Sequence, residues 1–215
     1  MKRALCLLLL SCLLCAALAC NRTRENRASP GSSARVRPVN ANVSPTVRLI
    51  VEDAIRQTEY TRSYDPSYVR IDYPGGDVPL DRGVCSDVVV RAFRKVGVDL
   101  QKEVHEDMTR AFASYPKKWG LARPDANIDH RRVPNLMTFF ERRGKSLDVT
   151  SAGADYQPGD VVTWDLGGGT THIGIVTNLW SDARENYLIA HNIGGGVRVE
   201  NVLFSWKITG HYRYF

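Results

Sequence analysis

The sequence predicts an α+β domain in which N-terminal helices pack on a largely antiparallel sheet built by the second half of the chain. Two patterns carry this. Before residue 145, apolar side chains recur at helical spacing in four stretches. After it they fall into six short runs separated by Gly- and Asn-containing turns. Helices followed by a succession of short strands is the order of an α+β domain. Composition agrees: of 215 residues, 43% are hydrophobic and 24% charged, which excludes a fully disordered chain and a multi-span membrane protein.

Lys2 and Arg3 precede an apolar run from Ala4 to Cys20 broken only by Ser11, the pattern of an export signal. The run is short for a membrane span, and a polar, Arg-rich stretch follows it at once. Its end, Ala17-Leu18-Ala19-Cys20, resembles a bacterial lipobox. Residues 1–20 are therefore expected to be a lipoprotein-type signal with Cys20 as the lipidation site; plain cleavage after Ala19 is the alternative. Residues 21–45 hold Asn, Arg, Ser, Pro and Gly with almost no large apolar side chain, the composition of a disordered basic tether.

The domain is then expected over 46–215. Ser44-Pro45 is a helix cap and first-turn proline, and Val47, Ile50, Val51, Ala54 and Ile55 place a helix over 45–59. Tyr73-Pro74-Gly75-Gly76 is a turn. Val88, Val89, Ala92, Phe93 and Val96 place a helix from Cys85 to Lys95, stopped at Gly97. Leu100–Ser114 and Val133–Arg143 are two further amphipathic stretches. Strands are expected at 147–149, 161–164, 172–179, 187–191, 197–202 and 208–214.

The formal charge of +6 invites a nucleic-acid reading, so its location matters. Residues 1–45 carry seven basic side chains and one acid, whereas 46–215 balance at 22 basic and 22 acidic. The surplus belongs to the signal and tether, and no nucleic-acid partner is expected. The cysteines are Cys6, Cys12, Cys15, Cys20 and Cys85. An exported domain would keep Cys85 alone, which excludes an internal disulfide framework.

Cys85 at a helix start has the geometry of a nucleophile, because unpaired backbone N–H groups favour the thiolate there. Such a nucleophile needs an imidazole, and His172 opens an apolar strand after the Gly167-Gly168-Gly169 turn. His191 and Asn192 end the next strand, and either would orient His172 through its second ring nitrogen. They alternate to opposite faces, so only one serves. Cys85, His172 and His191 are also a conceivable zinc set. Their order fits a nucleophile better, and no metal or cofactor is expected. Asp125, Asn127, Asp129, His130, Arg131 and Arg132 form the densest polar segment, either a substrate-recognition loop with arginines for carboxylates or a capped loop leading into the Pro134 helix. His105 reads as surface and His211 as structural.

Tyr73-Pro74-Gly75-Gly76, Cys85-Ser86, Gly97-Val98-Asp99-Leu100, Pro158-Gly159-Asp160-Val161-Val162 and His172-Ile173-Gly174-Ile175-Val176 together resemble the NlpC-type papain-like cysteine peptidases of bacterial cell walls. Tyr64 to Arg70, Asp125 to Leu136, His191 to Gly194 and Thr209 to Tyr214 resemble the YijF-like bacterial family, domain-of-unknown-function family 1287, over essentially all of 46–215. The resemblance implies a papain-like NlpC-type fold. It also implies Cys85 as nucleophile, His172 as base, His191 (Asn192 as alternate) as the orienting residue, and Tyr73 near the sulfur beside the developing oxyanion. Val84 stands where the peptidases have Asp, Asp87 where they have Gly, and the His172-to-His191 spacing is longer than theirs. The expected function is an exported thiol hydrolase of the cell envelope, anchored through Cys20 and acting on amide bonds of peptidoglycan stem peptides or cross-links. The alternative is a non-catalytic envelope lipoprotein that binds wall polymer or a protein partner.

Overall fold

A computed structural model describes residues 35–36 and 43–215; the expected signal, the candidate lipidation site Cys20 and nearly all of the tether lie outside the described residues. In chain order the elements are β1 (Arg35–Val36), α1 (Pro45–Arg56), β2 (Ser63–Tyr64), β3 (Arg82–Gly83), α2 (Cys85–Arg94), α3 (Leu100–Ala111) and α4 (Val133–Arg142), then β4 (Ser146–Leu147), β5 (Val161–Asp165), β6 (Thr171–Ser181), β7 (Asn186–Asn192), β8 (Val197–Glu200) and β9 (Lys207–Tyr212). The architecture is α+β. The main sheet runs β4-β9-β5-β6-β7-β8 with every pairing antiparallel, and β1 pairs with the far end of β6.

Helix starts follow local chemistry. Ser44 Oγ accepts the Val47 N–H at 3.2 Å and Pro45 occupies the first turn of α1. At α2 the extended Val84 is the cap residue, and its own N–H is taken by the Asp87 side chain at 2.7 Å. Asp87 thus finishes the turn that presents Cys85. Gly97, at φ 81°, closes the end of α2.

Alternation along the strands sorts two apolar layers. Val161, Ile173, Ile175 and Ala190 meet Val89, Ala92 and Phe93 of α2, Ile50 of α1 and Leu136, Phe139 and Phe140 of α4. Val162, Trp164, Val176 and Ile189 meet Tyr156 and Leu203, contributed by loops. Each fully buried Ile or Phe contributes about 1.5–3 kcal/mol, and α2 is buried along nearly its whole length.

The expected elements form, with shifted ends. The first helix finishes at Arg56 and continues as a 3-10 turn to Glu59; the third finishes at Ala111 before a 3-10 turn over Phe112–Ser114. β2 and β3 had no sequence signal. They are two residues each, pair in parallel, and set Tyr64 opposite Gly83, two residues before Cys85. Among the described residues no helix is long and apolar enough to cross a membrane.

Candidate functional site

Cys85 is the first residue of α2, 4% exposed, at the floor of a cavity of about 380 Å³. Tyr64, Tyr68, Trp119, Arg131, Arg132 and Thr171 are among its lining residues. Burial pushes the Cys85 thiol up to about 11, with the Asp87 charge adding to the rise, while the backbone N–H groups of Ile173, Ser86 and Cys85 itself pull it down. The sequence placed this thiol where a helix start favours the thiolate. Burial outweighs that effect, and the resting sulfur is a protonated thiol. The Tyr64 hydroxyl stands beside the sulfur; burial and then the neighbouring thiol push it up to about 12, so it stays a donor.

His172 lies on β6 opposite Trp164 of β5. Its Nε2 is 2.8 Å from His191 Nδ1, and His191 Nε2 is 3.0 Å from Glu200 Oε2 on β8. This order fixes the tautomers of the neutral rings. An ionised carboxylate only accepts, so His191 carries its proton on Nε2; its Nδ1 then accepts, so His172 carries its proton on Nε2. His172 Nδ1 is left as a lone pair. Trp206 lies against both rings, with centroids 6.0 Å from His172 and 6.5 Å from His191. Burial, then the neighbouring His191, holds His172 down near 3. Burial lowers His191 too, against the opposing pull of Glu200.

Of the two candidates for the orienting residue, the structure selects His191. Asn192 points to the other side of β7 and donates from Nδ2 to the carbonyls of Ser63 (3.2 Å) and Gly83 (3.0 Å), tying the sheet to β2 and β3. Glu200 was not anticipated. Its signal was present in the Val197-Arg198-Val199-Glu200 alternation after the Gly194-Gly195-Gly196 turn, which returns Glu200 to the His191 side.

The imidazole leaves β6 on the side of Trp164 and Trp206, whereas Cys85 meets the same strand at the Ile173 N–H. Among the described residues no hydrogen bond joins Cys85 to His172, and His172 does not line the cavity, although Thr171 does. The expected thiolate–imidazolium pair is therefore not formed here: the two groups flank the same stretch of backbone, both neutral.

The family described as "Domain of unknown function (DUF1287)" matches residues 51–214. The chain belongs to this family. A curated relative, "Uncharacterized protein YijF" of Escherichia coli (strain K12), is 52% identical over 185 residues, covering 85% of this chain and 89% of its own. No solved structure matches the chain. Cys85, His172, His191, Glu200 and Tyr64 all lie inside the DUF1287 region.

Most of the polar segment over 125–132 is the capped loop of the DUF1287 domain rather than a row of free ligands. Asp125 accepts from Asn127 N–H (2.9 Å) and from the Tyr68 hydroxyl (3.0 Å). Asn127 Oδ1 accepts from Ile71 N–H (2.9 Å), and Asp129 Oδ2 from Asp125 N–H (2.6 Å). His105, read as surface, places Nδ1 3.2 Å from Asp129 Oδ2. His130 is 2% exposed, its Nδ1 without a hydrogen-bond partner among the described residues; burial, then the charges of Arg94 and Arg131, hold it down near 3. Arg131 is buried against Asp87 (3.0 Å from Nε and from Nη2) and donates to the carbonyls of Ser67 and Asp65, both at 3.1 Å. Only Arg131 and Arg132 of the six reach the cavity wall, with Arg131 already paired.

Tyr73 is also displaced from its expected place. Gly75 N–H donates to Asp99 Oδ2 (2.8 Å) and Gly76 N–H to Gln101 Oε1 (2.9 Å), which docks the turn on the start of α3. The Tyr73 ring meets His105 edge-on at 5.1 Å, and the tyrosine beside the sulfur is Tyr64. His211, read as structural, is so: its Nε2 is 2.8 Å from buried Asp160. Among the described residues no three His, Cys, Asp or Glu side chains converge in a metal-ligating group.

Proposed function

We propose that this DUF1287 domain is an exported thiol hydrolase of papain-like NlpC-type architecture, cleaving amide bonds in peptidoglycan stem peptides or cross-links with Cys85 as nucleophile. The observation that carries the reading is the Glu200–His191–His172 chain. It leaves His172 Nδ1 with a free lone pair, on the residue next in sequence to the Ile173 N–H that the Cys85 sulfur faces. The export-type N-terminus and the peptidase-like motif order support the cell-envelope substrate. The balanced charge of the domain supports a partner other than nucleic acid.

This mechanism requires the His172 imidazole, which leaves β6 on the Trp164 side, to come round to the Cys85 side of the strand when substrate is seated. His172 Nδ1 takes the thiol proton, and Glu200, acting through His191, stabilises the imidazolium. The sulfur adds to the amide carbon, and the Cys85 N–H and Tyr64 hydroxyl receive the oxyanion. His172 returns the proton to the leaving amine. Water, deprotonated by His172, then splits the thioester into carboxylate and free thiol.

A second reading has one observation in its favour. A thiol held up at about 11 and not bonded to its base suits a cavity that binds wall polymer or a partner without turnover. Digestion of purified peptidoglycan, with mass spectrometry of the soluble fragments, separates the two. The hydrolase yields fragments bearing a new amine and a new carboxylate at one bond. Sedimentation with the polymer and no new ends would establish the binding module instead.

A further inference from the structure

Two arginines and no carboxylate line the cavity above Cys85. Arg131 is paired with Asp87 through Nε and Nη2 and donates from Nη1 and Nη2 to the Ser67 and Asp65 carbonyls. Arg132 differs. Its guanidinium carbon lies 4.2 Å from the centroid of the Trp119 ring, and among the described residues its side chain makes no hydrogen bond and no ion pair. The nearby carboxylates are occupied elsewhere, Asp125 by Tyr68 and Asn127, Asp129 by His105 and the Asp125 N–H. The cavity therefore carries one guanidinium whose N–H groups have no hydrogen-bond partner among the described residues, beside an aromatic wall and within electrostatic reach of Asp125 and Asp129.

We propose that Arg132, its guanidinium over the Trp119 ring, is a carboxylate-binding subsite, so that the substrate presented to Cys85 carries a free carboxylate close to the scissile bond. The placement of that carboxylate rests on the hydrolase reading above. A guanidinium held over a ring with no hydrogen-bond partner among the described residues has its N–H fork available, which matches the two oxygens of a carboxylate. With Arg131 tied to Asp87 and with Asp125 and Asp129 within electrostatic reach of Arg132, the subsite favours a single negative charge over the near-double charge of a phosphate monoester. Stacking also restrains the Arg132 side chain before binding, so less rotamer freedom is lost when the ligand arrives.

The test uses the full chain carrying Cys85→Ala, so that binding is read without turnover. N-acetylglycine, N-acetylglycinamide and inorganic phosphate are titrated while the Trp119 indole N–H resonance, assigned by its loss in Trp119→Phe, is followed by NMR. N-acetylglycine is expected to shift it saturably and to bind about tenfold or more tightly than the amide, the scale of a charge-assisted hydrogen bond. Arg132→Gln is expected to abolish that preference, and Arg132→Lys, which keeps the charge without the fork, to lose most of it. Equal affinity for carboxylate and amide, a preference that survives both substitutions, or phosphate binding as tightly as N-acetylglycine overturns the proposal. Wild-type protein that shows the preference but releases no peptidoglycan fragment would sink the hydrolase reading and leave the subsite standing.

Discussion

Arg131→Met is expected to destabilise the domain rather than to act by weakening ligand binding. Arg131 is the buried partner of Asp87, which also takes the Val84 N–H at the start of α2. Removing the guanidinium strands an ionised carboxylate that is 3% exposed and leaves the Ser67 and Asp65 carbonyls without their donor. Breaking one side of a buried pair costs about 3–5 kcal/mol, which for a domain of this size lowers Tm by roughly 6–20 °C. Thermal unfolding by circular dichroism reads the single variant. A double-mutant cycle with Asp87→Leu reads the coupling: the double variant is expected to recover part of the loss, because no charge is left buried, short of the roughly 1 kcal/mol belonging to the lost cap. A fall in Tm under about 3 °C, accompanied by lost carboxylate binding, would refute the reasoning and make Arg131 a ligand residue.

Three further outcomes follow from the same geometry. Glu200→Gln, which leaves shape intact but removes the charge facing His191, is expected to lower kcat/KM on peptidoglycan fragments by about 10²–10⁴-fold with little change in Tm; steady-state kinetics beside a melting curve checks it. Asn192→Ala is expected to do the reverse, costing about 1–3 kcal/mol in chemical denaturation through the orphaned Ser63 and Gly83 carbonyls, with the pH profile of turnover unmoved. His130 and His172, both held near 3 by burial, bind protons less readily when folded than at their ordinary 6.5. Their contribution to stability is complete above about pH 6.5 and is lost as pH falls toward 3. His130→Gln is expected to flatten that acid limb, and an equally steep limb in the variant would count against the burial argument.

The sequence was legible where chemistry is local. Ser44 with Pro45 marked a helix start, Gly97 a helix stop, and the apolar spacing from Cys85 onward put the cysteine on the first residue of α2. Alternation along β7 showed that His191 and Asn192 part to opposite faces. Which face carries the helices depends on packing between distant segments, so the choice waited for the fold. Tyr64 was hidden for the same reason: a two-residue parallel pairing with Arg82–Gly83 brings it to the sulfur, and strands that short leave no periodic trace. Asp87 and Arg131 are 44 residues apart, each an ordinary polar residue in its own segment until the loop over 125–132 closes on α2. The raised thiol is likewise a consequence of burial, which a helix start alone does not reveal.

The central claim is that Cys85 is the atom that attacks. Its most direct measurement is the release of new amine and carboxylate ends from purified peptidoglycan by wild-type chain and by Cys85→Ala, compared at equal melting temperature. The account predicts release by the wild type and none by the variant. Undiminished release by a folded Cys85→Ala protein would contradict it.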